Sequence, residues 1–164
     1  MIVQIVKIAN LSYEKVQFYS LKREGTLYSE YRDFLVRMQQ KPEIIEDLQL
    51  LNNYIGLIGR KYGADKKHFK AEGDAERLPP PYHFVQGDYG VRLYCIIATT
   101  DIVILLNGDH KTAEKAQDCP NCFPHFRFAN KAAKVFKTAV ESGFIEFEDK
   151  EIIYTNDDFE LDIE

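Results

Sequence analysis

Apolar and polar residues alternate along this chain with two different periods, and the changes of period mark its elements. Residues 2–8 (IVQIVKI) alternate loosely and are rich in Ile and Val, which predicts a first strand. The shorter run 16–21 predicts an extended segment able to pair with it. The period then becomes helical: Tyr28, Tyr31, Leu35 and Met38 fall on one face, predicting an amphipathic helix over about 27–40. Pro42 suits the first turn of a second helix, because its missing N–H would have no partner there, and Glu43 and Glu46 suit its positive end. Ile44, Ile45, Leu48, Leu51, Ile55 and Ile58 form its stripe, and Arg60 and Lys61 ahead of Gly63 mark its end. The short gap between the two predicts a packed, antiparallel helical hairpin.

Residues 65–89 break both periods. They are polar, Pro79, Pro80 and Pro81 bar a helix, and only a short strand near 67–70 is expected. Residues 91–97 and 102–106 are almost continuously apolar, as strands covered on both faces are, and a four-residue connection makes them an antiparallel hairpin. A loop over 107–125 leads to a last helix at about 126–142, whose buried side carries Ala129, Ala132, Ala133, Phe136, Ala139 and Val140 and which Gly143 ends. Two short strands, 144–147 and 152–154, follow. The order describes an α+β layer fold, with a single domain over 1–148 and an acidic tail over 149–164.

At 164 residues and 45% hydrophobic, the chain has material for one core. Its N-terminal apolar run lacks a basic flank and a small-residue cleavage site, and no apolar run approaches the roughly 20 residues that span a bilayer. The expectation is a soluble, cytoplasmic protein with no membrane partner. Three cysteines argue against a disulfide scaffold, and Cys95, inside an apolar strand, reads as a small buried hydrophobe. The net charge of −5 is unevenly spread: between Glu141 and Glu164 there are ten acidic residues and one lysine, whereas the first 140 residues hold 20 basic and 16 acidic ones. The body is basic. Its acidic end reads as a solvated terminus, a cover for a basic groove, or an extra strand on a sheet edge.

Basic side chains gather around the central hairpin. Lys66, Lys67, His68, Lys70 and Arg77 precede it, Arg92 opens it, and His110, Lys111, His125 and Arg127 follow it. Arg92 and Lys111 border buried strands, where a charge is expensive without a partner or a task. RNA cleavage by 2′-hydroxyl attack needs a base, an acid and cations for the charge that develops on phosphorus, and Lys, Arg and His supply all three without a metal or cofactor. Tyr82, His83 and Tyr89 are candidates for stacking on bases. A separate set, His110, Cys119, Cys122 and His125, has zinc-type ligand chemistry. A redox role for the Cys-Pro-Asn-Cys pair is disfavoured, because such pairs open a helix after a strand and this one is expected within a loop.

The stretches KHFKAEGDAERLPPP, GVRLYCIIATTDIVILLNGDHKT, AQDCPN and HFRFANKAAKVFKTAV, over about 40–140, resemble the RelE/HigB/ParE toxin superfamily, the HigB-like branch in particular. The resemblance implies a RelE-like antiparallel sheet packed by an N-terminal helical hairpin and a C-terminal helix. It also implies a toxin–antitoxin mRNA endoribonuclease acting at the ribosome and neutralised by a cognate antitoxin protein. Lys67, His68, Arg92, His110 and Lys111 would then be catalytic, with Lys66, Lys70, Arg77, His125 and Arg127 binding RNA. A noncatalytic protein- or RNA-binding relative and a small zinc-binding module are the alternative readings.

Overall fold

The computed structural model describes residues 1–80, 90–112 and 119–163. The chain begins with an antiparallel hairpin, β1 (Ile2–Ser12) and β2 (Gln17–Arg23). α1 (Glu30–Met38) is started by Ser29, whose hydroxyl accepts the Arg32 N–H at 3.2 Å and so satisfies one of the donors a helix start leaves over. A 3-10 turn at Pro42–Ile44 leads into α2 (Ile45–Leu57). That helix loosens into a π-type turn at Ile58–Tyr62 and stops at Gly63, whose φ of 76° suits a residue without a Cβ. Next come β3 (Lys70–Glu72), β4 (Ala75–Leu78), the long hairpin of β5 (Gly90–Thr99) and β6 (Ile102–Lys111), α3 (Phe123–Glu141), a second hairpin of β7 (Ile145–Glu148) and β8 (Glu151–Tyr154), and β9 (Leu161–Asp162).

Among the described residues seven strands form one sheet, in the order β3-β4-β5-β6-β2-β1-β9. α1 and α2 cover one face over Phe18, Phe34, Leu51, Leu93, Val103 and Leu105. α3 covers the other over Tyr94, Ile104 and Leu106, with Ala129, Ala132 and Phe136 on its contact side. Cys95 is fully buried between these layers. The acidic end of the chain returns to the sheet: β9 pairs with β1, and Leu161 and Ile163 join the α3-side core. Lys150, in the β7–β8 turn, donates to the Tyr13 and Glu14 carbonyls at 3.0 and 2.7 Å. Among the described residues no helix is long and apolar enough to cross a membrane.

The RelE-like arrangement expected from the resemblance is not what the chain adopts. The sheet is larger, with seven strands, and it is mixed, because β2 runs parallel to β6. The helices do not form an N-terminal hairpin. A strand hairpin comes first, and α1 lies against β6 and β2 while α2 lies against β5. Each helix carries its own apolar stripe, and each buries that stripe on the sheet, a wider apolar surface than the other helix offers. The strand expected near 67–70 is instead a 3-10 turn, Lys66–His68, followed by β3. The last helix begins three residues before its expected start, at Phe123.

Candidate functional site: the cationic end of the central hairpin

β5 and β6 pair with Gly90 opposite Lys111, Arg92 opposite Asp109 and Leu93 opposite Gly108. The arginine near the start of one strand therefore meets the lysine that ends the other. β4 brings Arg77 opposite Tyr94. Directly opposite residues share a face and diagonal ones lie roughly 7–8 Å apart, so Arg77, Arg92 and Lys111 step across three strands on the face that α3 covers. All three are buried, at 0%, 2% and 6% exposure. Removing a guanidinium from water costs several kcal/mol, and such groups persist only with polar partners. Arg77 Nε lies 2.8 Å from Glu72 Oε1 on β3, and its Nη1 donates to the Pro79 carbonyl at 3.0 Å. Arg92 Nη1 donates to the Val91 carbonyl at 3.1 Å. Tyr94 lies opposite Arg77 and two residues along β5 from Arg92. Burial, then the neighbouring Cys122 and Glu72, raise its phenol far above the usual range and keep it protonated.

A second polar cluster wraps the edge of β6. β2 pairs only with Ile102–Leu105 of that strand. Beyond it, Arg37 of α1 takes the place of a strand, donating to the Gly108 carbonyl at 2.8 Å, to Asn107 Oδ1 and to Asp109 Oδ2 at 2.8 Å. Asp109 also accepts from Lys41 Nζ at 3.1 Å and from the His110 N–H at 2.7 Å. Asn107 Nδ2 and Arg37 Nε both donate to Asp33 Oδ2 at 2.9 Å. Burial alone would raise the Asp33 carboxyl, but the bonds from Asn107 and Arg37, with the Arg37 charge, hold it below the usual carboxylate range. None of Arg37, Lys41, Asp33 and Asn107 was marked by reading the sequence for sites. The available signal was the four-residue spacing of Asp33, Arg37 and Lys41 along one helical face.

His125, near the start of α3, closes this cluster from the other side. Burial and the Arg37 guanidinium outweigh the Asp109 and Asp33 carboxylates and push its pKa down to about 4. Its folded value is thus below the ordinary 6.5, and between those two values the unfolded chain binds a proton that the folded chain refuses. The contribution is complete above about pH 6.5 and declines as pH falls toward 4, by on the order of 3 kcal/mol. Urea titrations at pH 7 and pH 4.5 should show a shallower pH dependence for His125→Gln than for the parent chain. Parallel pH dependences would refute the assignment.

The ten residues singled out from the sequence do not form one site. Lys66, Lys67 and His68 sit at the other end of the hairpin. The His68 ring stacks on Tyr62 at 4.3 Å, and Ala64, just ahead of this turn, bonds the carbonyl of Thr100 in the β5–β6 turn. β5 rises about 3.4 Å per residue, so that turn is more than 20 Å from Arg92. Lys70 is exposed, opposite Arg77 on β3, and Arg127 is exposed on α3. His110 is half-exposed, but strand alternation turns it to the face away from Asp109 and Lys111. The zinc set does not converge: among the described residues no three His, Cys, Asp or Glu side chains surround a metal position. Tyr82, His83 and Tyr89 lie outside the described residues.

Comparison with protein-family models returns no match, and comparisons with curated proteins and with solved structures return none either.

Proposed function

We propose that the Arg77–Arg92–Lys111 end of the sheet binds the phosphate backbone of RNA, and that the chain is a metal-independent mRNA endoribonuclease of the toxin kind. The observation that carries this reading is the meeting of three buried cations at one end of three adjacent strands. Fixed positive charge held out of water offsets negative charge developing on phosphorus more strongly than a solvated lysine does, and needs no reorganisation at the moment of reaction. Arg92 and Lys111 supply that charge. His125 stays neutral at neutral pH and has a lone pair for the 2′-hydroxyl proton, whereas His110, turned to the other face of β6, has no part in this centre. Lys67 and His68 have no part in this reaction centre. On the same reading, a neutralising antitoxin protein covers this end of the sheet.

Induced expression of the folded chain should arrest bacterial growth and cut mRNA. His125→Gln should lower cleavage by roughly 10²-fold or more while leaving the thermal melt near that of the parent chain. Arg92→Ala and Lys111→Ala should relieve the arrest. Soluble, folded protein that leaves growth and RNA intact would reject the enzyme. If such protein still binds RNA with an affinity that falls steeply with salt, the noncatalytic binding reading takes its place.

A further inference from the structure

Cys119 and Cys122 are placed differently from the sequence expectation. Because α3 starts at Phe123, Cys122 is its N-cap, and the Phe123 N–H bonds the Cys119 carbonyl at 2.9 Å. Cys-Pro-Asn-Cys is therefore a helical turn at the positive end of a 19-residue helix, the environment that favours a thiolate. Residues three apart on such a turn have Cβ atoms about 5–6 Å apart, and a disulfide needs about 3.5–4.5 Å, a small closing movement. The thiols hydrogen-bond to each other, and two further groups act on them. Cys119 Sγ accepts the Thr112 N–H at 3.3 Å and lies 3.5 Å from the Thr112 hydroxyl, while Cys122 Sγ is directed at the Asp109 carbonyl at 3.9 Å.

The pair is unequal. Burial would raise Cys119, but the Thr112 and Cys122 hydrogen bonds bring it down to about 7. Burial, and then donation to Cys119, raise Cys122 to about 12. One sulfur is an anion near neutral pH and the other keeps its proton, as a nucleophile and a resolving thiol require. Both are buried, with exposed Pro120 and Asn121 between them and exposed Thr112 hydrogen-bonded to Cys119, so the centre lies just beneath the surface. Cys95 lies inside the sheet, and burial holds its thiol well above the ordinary range.

We propose that Cys119 and Cys122 form a reversible dithiol–disulfide centre that reduces hydroperoxides, with Cys119 as the attacking sulfur and Cys122 as the resolving one. The Cys119 thiolate attacks the terminal oxygen of ROOH. An S–O bond forms, the O–O bond breaks, and the leaving alkoxide takes a proton to become ROH. Cys119, oxidised by two electrons, is now a sulfenic acid. Cys122 attacks its sulfur: the S–S bond forms, the S–O bond breaks, and the leaving hydroxide takes the Cys122 proton as water. One dithiol and one ROOH give one disulfide, one ROH and one water, and an external thiol restores the dithiol. The end of β6 bonds to both sulfurs, so the centre sits against the strand that carries Asp109 and Lys111.

The test uses the reduced full-length chain, treated with an equivalent of hydrogen peroxide, alkylated in denaturant and mapped by mass spectrometry. The expected product has one intramolecular Cys119–Cys122 disulfide, with Cys95 alkylated, and dithiothreitol reverses it. Cys122→Ser should stop at a Cys119 sulfenic acid that dimedone traps, and Cys119→Ser should slow peroxide consumption at least tenfold. In the parent chain the rate should rise through a midpoint near pH 7. This last readout requires no variant to fold. Full alkylation of both thiols after peroxide, a disulfide through Cys95 or between chains, or a rate midpoint in the ordinary thiol range would each overturn the proposal.

Discussion

Gly108→Ala is expected to destabilise the protein by on the order of 4 kcal/mol, enough to leave a domain of this size largely unfolded or insoluble. A Cβ at this position would stand 1.7 Å from the Arg92 carbonyl oxygen, 2.8 Å from its carbonyl carbon and 3.0 Å from Leu93 Cα. All three are backbone atoms of the paired strand, so no rotamer change relieves the overlap. The strands must separate, or the register must slip. Gly108 lies beside a β-bulge between the Leu93 and Cys95 pairings, where β6 holds one residue more than β5 opposite it. That extra residue turns Asp109 to the face of Arg92. Gly25 and Gly143 serve as controls: both have positive φ but no atom within 4 Å of an added Cβ, so alanine there should cost only about 1 kcal/mol. Urea denaturation of the three variants decides the matter. A Gly108→Ala midpoint no lower than those of the controls would contradict the close approach.

Asp109→Ala is expected to cost about 3 kcal/mol. The carboxylate is the shared acceptor of Arg37 and Lys41 and has only 12% of its side chain exposed. Removing it takes from Lys41 its carboxylate and leaves Arg37 with Asp33 alone, at the edge of β6 beside the buried Arg92. Most of the loss is the penalty on those poorly compensated charges rather than the worth of any one hydrogen bond. Asp109→Ala combined with Arg37→Leu should therefore cost clearly less than the sum of the two single losses, because the second change removes one of those charges. Chemical denaturation of the single and double variants measures the difference, and additive losses would show that the cluster does not act as a unit. Asp109→Asn, which keeps the shape and one acceptor oxygen, should fall between.

Local pattern made the central hairpin legible. Residues 91–97 and 102–106 are apolar on both faces and only four residues separate them, so their antiparallel pairing follows, but the bulges that set Arg92 opposite Asp109 do not. α3 was equally clear from Ala129, Ala132 and Phe136, but its first turn was not. Cys122 and Phe123 carry no helical period of their own, and the turn forms because the chain docks against the end of β6. The expected helical hairpin failed for a related reason. The stripes of α1 and α2 each specify an apolar partner without naming it, and here the partner is the sheet. Lys67 and His68 were grouped with Arg92 because the resemblance implies one catalytic set for them. Tyr62 and Thr100 instead hold that segment at the opposite end of the hairpin.

The chain by itself determined the elements whose period is written in consecutive residues, the pairing of strands joined by short turns, and the presence of charge at the borders of buried strands. Those are short-range properties, set by side-chain alternation and loop closure over a few residues. The tertiary structure alone decided that β2 lies parallel to β6, that Arg37 fills the strand edge beyond it, that the basic residues divide between two ends of the sheet, and that two loop cysteines become the cap of a helix. Each of these depends on which distant apolar surfaces exclude water together, and no window of neighbouring residues contains that choice.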